Sequence, residues 1–208
     1  MSLTDRIGWS LMTFLSLGVA GYAAFHVVTN FVHLPPDVAA NAFASPHGLH
    51  VHIAASAIAL ALGPFQFLRS LRARVPRLHR WVGRLYVAAC LFGGLAGGAI
   101  AMYSTAGPVA GAGFLALAIA WVLTTTLAFA AVLRRDFATH ERWMVRSFAL
   151  TFAAVTLRIY LPIGLELHPD GFVLPYTIIA WLSWVPNLIL AEVWLTLRRP
   201  RLGAIGVS

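Results

Sequence analysis

Two motifs combine histidine with arginine: His79-Arg80-x-x-Gly83-Arg84-x-Tyr86 and His140-Glu141-Arg142-Trp143-Met144-x-Arg146-Ser147. A neutral imidazole is a metal ligand, and a guanidinium offers a planar fork to carboxylate or phosphate. Two imidazoles from different helices form the axial pair of a b-type haem, whose propionates suit arginine. His79 and His140 are therefore expected to ligate a haem b iron, with Arg80, Arg84 and Arg146 as propionate or quinone partners. Tyr86 and Trp143 are expected to pack at the interface. His52 with His26 or His33 would make an outer site. Arg158 stands apart from the other arginines and either snorkels, pairs with Glu166 or Asp170, or holds an anionic ligand group. Other readings of the histidines stay open. Amphipathic rings near helix ends also bond loop carbonyls or lipid phosphates. His47-x-x-His50-x-His52 could hold a divalent metal if the turn there is irregular. No paired carboxylates, nucleophilic Ser–His motif or phosphate loop is visible.

The elements that must position these residues are membrane helices. Of 208 residues, 60% are hydrophobic and 11% charged, far more apolar than a soluble domain. The fold class is all-α, a polytopic membrane protein with residues 1–208 as a single transmembrane domain. Six segments are long enough to cross, given about 20 residues per crossing. They lie near Gly8–Phe31, His47–Leu68, Trp81–Tyr103, Pro108–Leu133, Trp143–Gly164 and Phe172–Leu197, and segments two to five form a four-helix core. The first reads as a span rather than a signal peptide, its apolar run being long for an h-region. One cysteine, Cys90, excludes an intrachain disulfide, a Cys-based zinc site and a C-x-x-C-H haem attachment.

All 15 basic residues are arginine, and the formal charge is +8. In a soluble protein this would point to nucleic acid, but here it sets orientation. The arginines cluster before segment one, between two and three, between four and five, and after six. Arg158 is the exception. The positive-inside rule makes that side cytoplasmic, so both termini are expected on the cytoplasmic side of the membrane. Segment two carries a stripe of His52, Ser56, Ala59, Gly63 and Gln66, which faces inward because lipid penalises Gln and His. Segment three answers with His79, Gly83, Cys90, Gly94, Gly97 and Ala101. Its glycines allow close helix packing, contact with a second copy, or room for a macrocycle. Pro186-Asn187 should kink segment six.

Gly63-Pro64-Phe65-Gln66-Phe67, the two His–Arg motifs and Arg158, in that order, resemble the bacterial predicted membrane proteins of domain of unknown function 2306. The resemblance covers roughly residues 50–165 and carries no settled activity. It makes His52, Gln66, His79, Arg80, Arg84, Tyr86, His140, Trp143, Arg146 and Arg158 the candidate site residues. A four-helix core with histidines near both faces is also loosely similar to the two-haem b-type cytochromes. The chain departs from them in lacking outer-half histidines on segments three to six, His168 in a loop apart, which bears on an outer haem more than on an inner one. The expected function is haem b-dependent electron transfer between a quinone and a redox partner, a membrane oxidoreductase. The alternative is a non-enzymatic binding or transport protein, or an accessory subunit, with a cytoplasmic Arg/His site for an anion or lipid head group.

Overall fold

The structure, a computed structural model, describes residues 3–30, 32, 46–169 and 171–198. Its elements are all helical: α1 (Leu3–Val28), α2 (Pro46–Gln66), α3 (Arg69–Arg74), α4 (Pro76–Ala101), α5 (Pro108–Leu133), α6 (Phe137–Thr151), α7 (Ala153–Leu167), α8 (Val173–Leu182) and α9 (Val185–Leu197). Six spans result among the described residues, with α6–α7 and α8–α9 each acting as one. The chain is an all-α membrane protein with six helices long and apolar enough to cross the bilayer. Its outer surface carries large apolar side chains, Phe92 and Leu95 about two-thirds exposed among them. Lipid, not water, solvates such a surface.

Local chemistry sets the helix ends. Pro76 and Pro108 open α4 and α5 in the first turn, where a missing N–H costs nothing. Gly107 precedes Pro108 with φ +90°, a conformation that glycine adopts without a Cβ clash. Arg135, at φ +62°, ends α5, and the Asp136 side chain then caps α6 by accepting the Thr139 N–H at 3.0 Å. Two spans begin earlier than their apolar runs suggest. The third starts at Pro76 rather than Trp81, and the fifth at Phe137 rather than Trp143. Both basic motifs therefore lie on the first turns of helices rather than in loops. The sixth span breaks at Ser183–Trp184. There the Asn187 amide donates to Ser183 O at 3.1 Å and Ala149 O at 3.3 Å, satisfying carbonyls at the break.

Spans two to five pack in sequence around the core, with α2 closing the ring against α6. α1 lies against α2, and α8–α9 lie against α5, α6 and α7. The antiparallel course brings Arg6, the Arg69–Arg84 stretch, Arg134–Arg146 and Arg198 to one end, where Arg198 lies 3.6 Å from Asp5 at the start of α1. Arg199 and Arg201 lie outside the described residues.

The core is built from Ala59, Tyr86, Cys90, Trp121, Ala128, Met144 and Phe148. Small residues let its helices approach closely. A Cβ on Gly63 would meet the Phe148 ring at 2.3 Å, so glycine at that place lets the ring of α6 seat against α2. The glycine face of α4 is used in the same way. Gly97 accommodates the His52 ring, with 2.6 Å from a hypothetical Cβ to Nδ1, Gly94 receives Val122, and Gly93 lies under Trp121. That face is filled by side chains of α2 and α5. It offers neither the room for a macrocycle nor the free surface for a second copy that the glycine spacing allows.

Candidate functional site

His79 and His140 sit on the first turns of α4 and of α6, at the arginine-rich end. They lie within electrostatic range of one another, with Arg72 close to His79. The His140 Nδ1–H donates to Ala128 O at 2.8 Å, because a carbonyl can only accept. Nε2 is then the unprotonated nitrogen, the form a metal ligand takes, and the Nδ1 bond fixes the ring's orientation. His79 Nδ1 is buried without a hydrogen-bond partner. One face of α4 also carries Gly83, and a Cβ there would meet Gln66 Oε1 at 3.1 Å. Gln66 Nε2 is likewise buried without a partner. Buried polar atoms are normally satisfied, and these two nitrogens are free to meet a ligand. Two imidazoles from separate spans stand at this end, and Arg80 and Arg84 are exposed and in no ion pair with a described residue.

Two residues expected at this site are engaged elsewhere. Arg146 forks Glu192 of α9, Nε to Oε1 at 2.5 Å and Nη2 to Oε2 at 2.8 Å, and stacks on the Trp143 ring at 4.6 Å. Its guanidinium is filled by a carboxylate of the chain and is not free for a propionate. Tyr86 is not at an interface but completely buried. Its hydroxyl bonds Ser147 Oγ at 3.0 Å and Thr151 Oγ1 at 2.9 Å. Trp121 Nε1–H donates to Thr151 Oγ1, and Thr125 Oγ1 bonds Ser147 Oγ at 2.7 Å. This closed network joins α4, α5 and α6 at mid-bundle.

At the far end, the His52 Nδ1–H donates to Gly93 O at 2.8 Å. His26 is buried in α1 with its ring edge-on to Tyr22, centroids 4.4 Å apart. His50 faces Asn30 Oδ1 at 3.4 Å, so the helix turns it away from the His52 bond. No three His, Cys, Asp or Glu side chains converge among the described residues, which removes the divalent-metal reading of His47, His50 and His52. His33 and Asp170 lie outside the described residues. Arg158 does not snorkel outward. Its Nη1 donates back to Ala154 O at 2.9 Å, towards the middle of the span, and its guanidinium lies 5.8 Å from the Tyr22 ring. It forms no ion pair with Glu166. Two cavities, of about 390 and 200 Å³, open beside His168 at this end, away from His79 and His140.

Three of these contacts were beyond sequence reasoning: Glu192 for Arg146, the Ala128 carbonyl for His140, and the hydroxyl network for Tyr86. Only the shared face of Ser147 and Thr151 on α6 hinted at the last. A family model described as Predicted membrane protein (DUF2306) matches residues 49–195. No curated protein and no solved structure matches the chain.

Proposed function

The chain belongs to the DUF2306 family of predicted membrane proteins, and we propose that it binds haem b at its arginine-rich end and passes electrons between a quinone and a redox partner. The observation that carries this reading is the His79–His140 pair, with the His140 Nδ1–H bond to Ala128 O presenting Nε2 as a ligand. Haem b would supply a one-electron couple there. His140 holds its tautomer through the Ala128 carbonyl, which also raises the basicity of Nε2. Arg80 and Arg84 serve the propionates bidentately. Gln66 Nε2 offers a donor to a quinone carbonyl. The arginine-rich end is the cytoplasmic face of a bacterial inner membrane, by the positive-inside rule.

The test is the absorption spectrum of detergent-purified protein from haem-replete cells. A Soret band that sharpens and shifts on dithionite reduction is expected, with low-spin iron in both states. His79→Ala and His140→Ala should each abolish it, and His168→Ala should leave it unchanged. Colourless protein, or haem kept by both single variants, overturns the assignment.

A second reading has its own support. The arginines of Arg69–Arg84 form no ion pair with a described residue, as suits an anionic head-group surface. Colourless protein that binds anionic vesicles, more weakly as salt rises, would favour it.

A further inference from the structure

We propose that Arg158 anchors a second ligand site, in the half of the bundle away from the arginine-rich end, that takes an oxyanion presenting two coplanar oxygens. The argument begins with position. α7 continues to Leu167, so Arg158 lies about 13 Å along the helix from its far end at 1.5 Å per residue. Its side chain turns further inward, donating Nη1 to Ala154 O. A guanidinium keeps its charge in proteins, and a charge at this depth in a bilayer is costly unless something answers it. Among the described residues no carboxylate does: the ion pairs are Arg146 with Glu192 and Arg198 with Asp5. Arg158 Nε is buried with no hydrogen-bond partner. One edge of the fork is thus used on a backbone carbonyl and the other is open.

The polar and aromatic side chains near the guanidinium come from three further helices. Tyr22 of α1 places its ring 5.8 Å from the guanidinium carbon. His52 of α2 and Tyr176 of α8 lie within electrostatic range. No carboxylate of a described residue pairs with the guanidinium, while Tyr22 and Tyr176 carry phenol hydroxyls able to donate to an incoming oxygen. An arginine fork recognises carboxylate or phosphate through two parallel N–H···O bonds, and this defines the ligand chemistry. Tyr22, whose ring lies beside the guanidinium, is half exposed on the outer face of α1. The oxyanion could be the head of an amphiphile or a small free anion. The inference does not depend on haem, since Arg158 and His79 lie at opposite ends of the bundle.

The experiment uses the full chain in phosphatidylcholine nanodiscs, with thermal unfolding followed by tryptophan fluorescence. Three probes are titrated separately: oleate, phosphatidylglycerol replacing part of the lipid, and inorganic phosphate. At least one should raise the wild-type Tm by several degrees, saturably. Arg158→Gln should abolish that rise, apart from whatever the arginine-rich end contributes in both proteins. Arg158→Lys should reduce it, because a point charge lacks the fork, and it serves as the test if Arg158→Gln does not fold. A response to oleate or phosphatidylglycerol identifies an amphiphile, and a response to phosphate alone a free anion. No rise with any probe, an equal rise in Arg158→Gln, or an undiminished rise in Arg158→Lys overturns the site. His79→Ala should retain the rise even where it has lost a Soret band, which separates this site from the haem proposal.

Discussion

Arg146 and Arg158 lie on the same span, and the molecule treats them in opposite ways. Arg146 meets Glu192 of α9 through two parallel hydrogen bonds and rests on the Trp143 ring. Arg158 meets a backbone carbonyl of its own helix and the ring of Tyr22, with Nε left over. The first arrangement is closed: Nε and Nη2, one edge of the fork, both donate to the Glu192 carboxylate. The second is open. In a bilayer the difference is large, since no water stands by to complete the open one. A closed charge holds helices together, and an open one has donors to spare.

The largest effect should separate the two. Arg146→Ala takes from Glu192 the two hydrogen bonds of the fork, and the Glu192 side chain is 46% exposed. The cost should therefore fall between that of a surface and a buried pair, about 1–3 kcal/mol. Adding Glu192→Gln should recover part of it, and the recovered part is the coupling between the two side chains. Arg158→Gln, measured without added anion, should stay within about 1 kcal/mol of wild type, because it removes a buried cation that no described carboxylate compensates. Reversible unfolding in mixed micelles reads both. Equal losses at the two sites would erase the distinction on which the comparison stands.

The same contrast runs along the bundle axis. At mid-depth the hydroxyls of Tyr86, Ser147, Thr151 and Thr125 and the Trp121 indole satisfy one another. Nearer the arginine-rich end, His79 Nδ1 and Gln66 Nε2 have no partners. Tyr86→Phe should cost about 1 kcal/mol. The loss stays modest because Ser147 retains Thr125 and Thr151 retains Trp121. Any haem spectrum should be unaffected. A Soret band lost from Tyr86→Phe would mean that the mid-bundle network belongs to the site rather than to the scaffold.

Much of this scaffold was readable before the structure, and the reasons are physical. A span must be apolar over about 20 residues, so all six spans announce themselves. The inward faces of α2 and α4 follow from the cost of His and Gln in lipid. Failures begin where two spans must be aligned with each other. Arg146 reads as free because Glu192 is on another helix, and only their relative rotation pairs them. The glycines of α4 leave packing, a second copy and a macrocycle open in the sequence, and the atoms that decide for packing belong to His52, Trp121 and Val122. The early start of α6 was hidden by its charges, Glu141 and Arg142. They sit within a helix because Asp136 caps it and Glu192 answers Arg146. A site made of orphaned atoms is harder still to read, since an unsatisfied nitrogen such as His79 Nδ1 is defined by everything that fails to reach it.

Asp136 refines the comparison at its weak limit, a closed charge that water also serves. Its carboxylate accepts the Thr139 N–H and caps α6, and that bond is the main reason its pKa lies below the usual carboxylate range. The sign follows directly. A carboxyl whose folded pKa is depressed adds stability above its unfolded value, near 3.9. That stability is lost as pH falls through the folded pKa. The residue is exposed, so the effect should be the smallest of the set. The stability gap between wild type and Asp136→Ala should be constant at neutral pH and narrow below about pH 4. Asp136→Asn, which keeps a capping oxygen without the charge, should lie between the two and show no such narrowing. A gap that instead widens on acidification would mean that the carboxylate is opposed in the folded state. The basic end would then be organised around some feature other than its caps and ion pairs.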